Sequence, residues 1–310
     1  MAKYNAKLMA ILLGMFILTQ LIGLYIVNFY ISDSMQIPYG FDQAENIEKD
    51  ANFYASFFIS LVISFIIAVA FVMLLMKINS VWIMRAWFFV VVALALGITL
   101  TVFTTKLGLV YPSLIALILA IFFAYIKVYE RNVLLHNVTE LLVYPGVAAI
   151  FVSLLNLPFT ILLLVGISIY DIWAVWHSGI MQKMAKYQIN TLGVFSGFFV
   201  PYAGKKIKEK IKLLRMKYKN NIPLKVLKKN KIKVNLAILG GGDVIFPIIA
   251  AGVMLKTFNL PAALCVMTGA SLALLALFIF SKKKKFYPAM PFITAGIFLG
   301  MVVYWLINLI

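Results

Sequence analysis

The chain has 310 residues, 64% of them apolar and only 12% charged. An ordinary soluble domain carries roughly 25% charged residues, so a water-soluble globule is excluded. The net charge of +18 would suggest nucleic acid in a soluble protein, but these lysines stand between apolar runs and report membrane topology, so no nucleic-acid partner is expected. One cysteine, Cys265, and two histidines supply neither a disulfide framework nor a zinc set, and no metal or other cofactor is expected.

Taken in chain order, the long apolar runs predict spans at Leu8 to Tyr30, Phe53 to Met76, Trp82 to Phe103, Leu107 to Ile126, Val138 to Asn156, Pro158 to Trp176, Val234 to Leu255, Leu260 to Phe280 and Phe286 to Asn308. The fold class is therefore an all-α membrane protein with nine transmembrane helices. The first run follows Lys3 and Lys7 as a signal peptide would, but it is too long and lacks a small-x-small cleavage site, so it reads as a retained anchor. Leu141 to Trp176 is almost unbroken; as one helix it would be about 54 Å long, against a ~30 Å hydrocarbon core. Asn156-Leu157-Pro158 supplies the turn that divides it.

Charge tests this count. With the amino terminus inside, only Lys49, Lys106 and Lys256 of the 28 basic residues fall outside, and one extra or missing crossing would invert every later loop. The amino terminus is placed in the cytoplasm and the carboxyl terminus outside, in a multi-pass protein of the cell membrane. Residues 1–179 form a six-helix front, 180–233 a basic cytoplasmic connection and 234–310 a three-helix back. The Lys-rich stretch from Lys205 to Lys233 reads as a loop held at anionic lipid heads. Leu192 to Tyr202 is apolar but too short to cross, and is expected at the interface or dipping toward the bundle.

Eight of the ten acidic residues, Glu130 and Glu140 among them, are assigned to loops or span ends. The remaining two, Asp171 in the sixth span and Asp243 in the seventh, lie inside apolar runs. A carboxylate at mid-bilayer costs about 2.5–3.5 kcal/mol on insertion scales, so two are the default functional site. Both fall in the cytoplasmic half at nearly one level, and two facing carboxyls in a low dielectric hold one proton between them. Such a pair suits peptide hydrolysis, in which one carboxylate takes a proton from water while its protonated partner donates to the scissile carbonyl. The rival reading is a cation- or proton-coupled transporter relaying charge through the same aspartates; no inverted repeat or paired broken helix supports it. Cys265, His136 and His177 lack partners for other nucleophilic chemistry, and both histidines read as interface residues.

Around these acids stand three weaker signals. Gly240, Gly241 and Gly242 carry no side chain, so a helix or an extended substrate backbone can come close to Asp243; plain small-residue helix packing explains them equally well. Tyr170 is an aromatic beside Asp171, and such residues are usually interface anchors. Pro288-Ala289-Met290-Pro291 opens the ninth span, either as an extended mouth on the same inner side or as an ordinary helix start. Asn137-Val138-Thr139 fits a glycosylation sequon but falls at the cytoplasmic face, and is read as chance.

Tyr170-Asp171, Gly240-Gly241-Gly242-Asp243 and Pro288-Ala289-Met290-Pro291 resemble, in order and spacing, the Tyr-Asp, Gly-x-Gly-Asp and Pro-Ala-Leu motifs of the presenilin and signal peptide peptidase family of intramembrane aspartyl proteases. The orientation resembles presenilin, and the small size the archaeal homologues. The resemblance implies that Asp171 and Asp243 are the catalytic pair. It also implies that Tyr170, Gly240, Gly241, Gly242, Pro288, Ala289 and Met290 shape the site, with Met290 replacing the family leucine. It further implies transmembrane or signal-peptide substrates that unwind before cleavage, in some cases by adding a strand beside the site, and it leaves oligomerisation open.

Overall fold

A computed structural model describes residues 6–32, 35–41, 51–78, 80–130, 132–179, 196–202, 235–281 and 287–309, together with 184, 187, 188, 191 and 193. Among them are nine α-helices: α1 (Ala6–Ser32), α2 (Ala51–Ile78), α3 (Val81–Lys106), α4 (Pro112–Tyr129), α5 (Val133–Leu154), α6 (Leu157–Trp173), α7 (Gly241–Thr257), α8 (Leu260–Phe280) and α9 (Met290–Ile307). A π-helical turn, Ala174–Ser178, continues α6. Eight of these helices, the turn included with α6, are long and apolar enough to cross a membrane; the exception is α7, with 17 residues. Their outward faces are apolar, with Ile66 61%, Ile67 62% and Ile118 60% exposed. Apolar surface on this scale is tenable only against hydrocarbon, as in a multi-pass membrane protein.

Asparagines and prolines start the helices where the sequence placed its turns. The Asn156 side chain accepts the Phe159 N–H at 3.2 Å, and Pro158 occupies the first turn of α6, where its missing donor costs nothing. Asn259 caps α8 through the Ala262 N–H at 3.0 Å. Asn132 caps α5 through Leu134 and Leu135, so α5 begins five residues before the expected Val138. His136 and Glu140 consequently lie within the helix.

The expectation of an all-α fold is corrected by a two-stranded antiparallel sheet, β1 (Gly197–Tyr202) with β2 (Asn235–Gly240), in register Gly197 opposite Gly240 to Tyr202 opposite Asn235. The seventh apolar run is therefore strand first, and only from Gly241 helix. Hydropathy alone does not separate the two, because a short apolar run suits a buried strand as well as a helix turn. β1 forms the second half of the apolar segment Leu192 to Tyr202 that was expected at the interface or dipping toward the bundle, and its Phe198 is fully buried. The 180–233 connection lies largely outside the described residues.

Helix α7 is the hub, packed against α1, α5, α6, α8 and α9. Gly252 makes part of that closeness possible, since a methyl there would stand 2.6 Å from a methyl of Val152 on α5 and 3.1 Å from Val27 on α1. Leu12, Phe16, Tyr144, Ile248 and Ile249 fill the surrounding core.

Candidate active site

Asp171 sits near the end of α6 and is buried, 6% exposed. Its carboxylate accepts the backbone N–H of Met290 at 3.1 Å, and the N–H of Ala289 is also directed at it. Those amides are free because α9 starts there, and a helix start presents unpaired N–H groups with a positive field to an anion. Pro288-Ala289-Met290 thus lies directly on Asp171, with Pro288 and Met290 buried. Three residues before Asp171, Ser168 donates to Thr294 on α9 at 2.9 Å, a second bond between the same two helices.

Asp243 occupies the third position of α7 and is half-buried. Gly240 is the N-cap, and its backbone N–H faces the Asp243 carboxylate, the reciprocal half of a capping box. Pro247, one turn later, provides no N–H for the Asp243 carbonyl. From α1, buried Gln20 donates to the Val244 carbonyl at 3.0 Å and braces the turn that carries Asp243.

Counted along their helices, the two acids stand equally far from neighbouring helix ends. Asp171 stands fourteen residues after Leu157, the first residue of α6, and Asp243 fourteen residues before Thr257, the last of α7. Each separation is about 21 Å of helix. Those ends are neighbours, because Nζ of Lys256 donates to the carbonyls of Val152, Ser153 and Leu155 at the α5–α6 turn, at 3.1, 3.3 and 3.3 Å. Helices α6 and α7 are in contact, and the Asp171 charge acts on Asp243.

The remaining motif residues divide. Tyr170 turns toward α2, edge-on to Phe65 with ring centroids 5.2 Å apart. Gly241 is buried, and a methyl on it would meet Ser196 Oγ at 2.6 Å and the Tyr144 ring at 3.1 Å. Gly242 is exposed, and a methyl there meets nothing closer than Phe246 at 3.5 Å. A methyl on Gly240 would stand 3.1 Å from Oδ2 of Asp243.

Sequence reasoning missed a polar cluster beside the sheet. Lys127 and Glu140, assigned to a loop and a span end, form a buried ion pair at 2.7 Å. His136, read as an interface residue, is buried with Nε2 2.9 Å from the Gly197 carbonyl. Since a carbonyl only accepts, Nε2 carries the proton. Glu140 Oε1 takes the Gly197 N–H at 3.4 Å, and Asn137 bonds Phe199 twice, donating to its carbonyl at 2.7 Å and accepting its N–H at 2.9 Å. The available signal was the spacing of His136 and Glu140, four residues apart and so on one helix face.

No protein-family model matches the sequence, and no curated protein matches it. Two solved structures of a presenilin family intramembrane aspartate protease, in different space groups, superpose over nearly the whole chain. One gives a TM-score of 0.56 at 19% identity and covers 96% of both chains. The other gives 0.53 at 17% identity and covers 94% of both. The chain therefore has the fold of presenilin-family intramembrane aspartate proteases.

Proposed function

We propose that this protein is an intramembrane aspartyl endopeptidase whose catalytic pair is Asp171 and Asp243. The observation that carries the reading is the matched placement of two buried or half-buried acids, each about 21 Å along its helix from neighbouring helix ends, on helices packed against each other. One carboxylate takes a proton from a water molecule, whose oxygen attacks the scissile carbonyl carbon while the partner carboxyl protonates the carbonyl oxygen. Collapse of the resulting diol, with a proton passed to nitrogen, breaks the C–N bond and leaves an acid and an amine. The first-turn amides of α9 hold Asp171 in place through that cycle. Nine crossings, with the amino terminus in the cytoplasm, put this chemistry in the inner half of the membrane.

The strand pair suits an unwound transmembrane or signal-peptide substrate. Gly197 and Phe199 turn their backbone groups to α5, so Phe198, Val200 and Tyr202 turn theirs to β2. The Gly241 N–H bond to the Ser196 carbonyl, at 3.3 Å, extends the same alternation. On β2, Leu236 and Ile238 then point their amides away from β1, while the Gly240 amide faces the Asp243 carboxylate. A substrate strand added along that edge runs into Asp243.

Purified protein in detergent is expected to cut a single-span peptide with a bell-shaped pH profile reporting the coupled pair. Asp171→Asn and Asp243→Asn are each expected to abolish cutting while the helix content is kept. Full activity in either variant overturns the assignment.

A further inference from the structure

We infer that Asn137 is a positioning residue for this proteolysis, acting as the stand-in for a third strand on the outer edge of β1. The inference rests on the protease reading and names what fixes the strand pair beside Asp243. An exposed strand edge offers a row of unpaired amides to any extended chain, and proteins that use one edge have to close the other. The carboxamide of Asn137 has the donor and acceptor of a peptide group, and it pairs with both backbone groups of Phe199. Its neighbour His136 holds the Gly197 carbonyl, so Gly197 and Phe199, the alternate residues that face away from β2, are both engaged.

The rest of the cluster makes this closure rigid. Glu140, with no exposed surface, takes the Gly197 N–H and is held by Lys127 from α4. The hydroxyl of Tyr144, one turn on, is buried and faces Glu140 and Ser196. Tyr144 packs edge-on against Phe198 of β1 and against Gly241, two residues before Asp243. A buried charge pair is poor evidence of stabilisation, because desolvation offsets the attraction. What this pair supplies is registry: α4, α5, β1 and the start of α7 are fixed to one another. The outer edge of β2 is left as the place where a substrate strand can add.

The test is Asn137→Ala in the full chain, purified in detergent, with a single-span peptide as probe. Three quantities are read: kcat and KM separately, the product ends by mass spectrometry, and hydrogen exchange at the Phe199 amide. Loss of the clamp is expected to speed Phe199 exchange and to lower kcat about tenfold with KM within about twofold. The cut is also expected to spread over neighbouring bonds, a result that mere loss of folded protein does not produce. Asn137→Asp keeps the acceptor and loses the donor, so it is expected to fall between wild type and alanine, and it carries the test if the alanine variant does not fold. Unchanged kcat and product ends in a variant whose Phe199 exchange has risen overturn the positioning role alone. Unchanged Phe199 exchange removes the clamp itself. A wild type that cuts nothing removes the protease reading and the positioning role with it.

Discussion

At the scale of single residues, the three glycines before Asp243 do different work. Gly241 is needed for room: a methyl there presses on the ring of Tyr144, which is fully buried and cannot swing aside. Overpacking of this kind costs about 1–3 kcal/mol, against less than about 1 kcal/mol gained from replacing glycine in a helix. Gly241→Ala is therefore expected to lower the detergent unfolding temperature, whereas Gly242→Ala leaves it unchanged or raises it. Any loss of cutting in Gly242→Ala is then a matter of the methyl beside Asp243 on the open side, not of folding. Equal unfolding temperatures for wild type and both variants would contradict this division. The sequence alone treated the three as one motif, because a composition of three glycines carries no information about which one faces a neighbour. The two aspartates were legible because a bilayer makes a lone acid conspicuous. Glu140 and Lys127 were not, since each lies near the end of an apolar run and their pairing depends on how α4 meets α5.

At the scale of elements, the helix starts after Asn156 and Asn259 were legible, whereas those of α4, α5, α7 and α9 and both strands were not. Asn156, Asn259 and the prolines that follow each of them mark their helix starts through local chemistry that needs no tertiary partner. β2 depends on β1, which lies more than thirty residues earlier, and on the clamp from α5, so its conformation is set by contacts that no window of sequence contains. The opposite end of α7 has a comparable long-range device. Lys256 caps the carbonyl end of α5, where unpaired C=O groups and the helix dipole favour a cation. Because that lysine is partly solvated, Lys256→Met is expected to cost about 1 kcal/mol, the scale of an exposed charge at a helix end. Since the acids lie about 21 Å away along their helices, the peptide bond cut is expected to stay the same. A denaturant series on wild type and variant, with product masses read in parallel, checks both halves; a shifted cut site would mean that Lys256 sets the depth of Asp243 and does more than cap α5.

At the scale of the whole molecule, the proposed inner-half site depends on which way the bundle stands in the membrane. Helix α4 is the most direct place to ask. Its two ends are separated by 18 residues, about 27 Å of helix, with exposed loop positions Leu109 before it and Glu130 after it. The basic residues near its carboxyl end are Lys127 and Arg131. Lys127 is now seen to be buried in an ion pair with Glu140, so its charge is spent inside the bundle and should not be counted as a topogenic loop charge. Removing it leaves the asymmetry intact, because the 180–233 connection and Lys282 to Lys285 carry most of the remaining positive charge on the same side. The expected arrangement is Leu109 outside and Glu130 in the cytoplasm. In a Cys265→Ala background, which removes the one native thiol, Leu109→Cys should react with a membrane-impermeant maleimide in intact cells. Glu130→Cys should react only after the cells are opened. The reverse pattern would invert the bundle, move the level of Asp171 and Asp243 into the outer half, and require substrates to be cut near their extracytoplasmic ends.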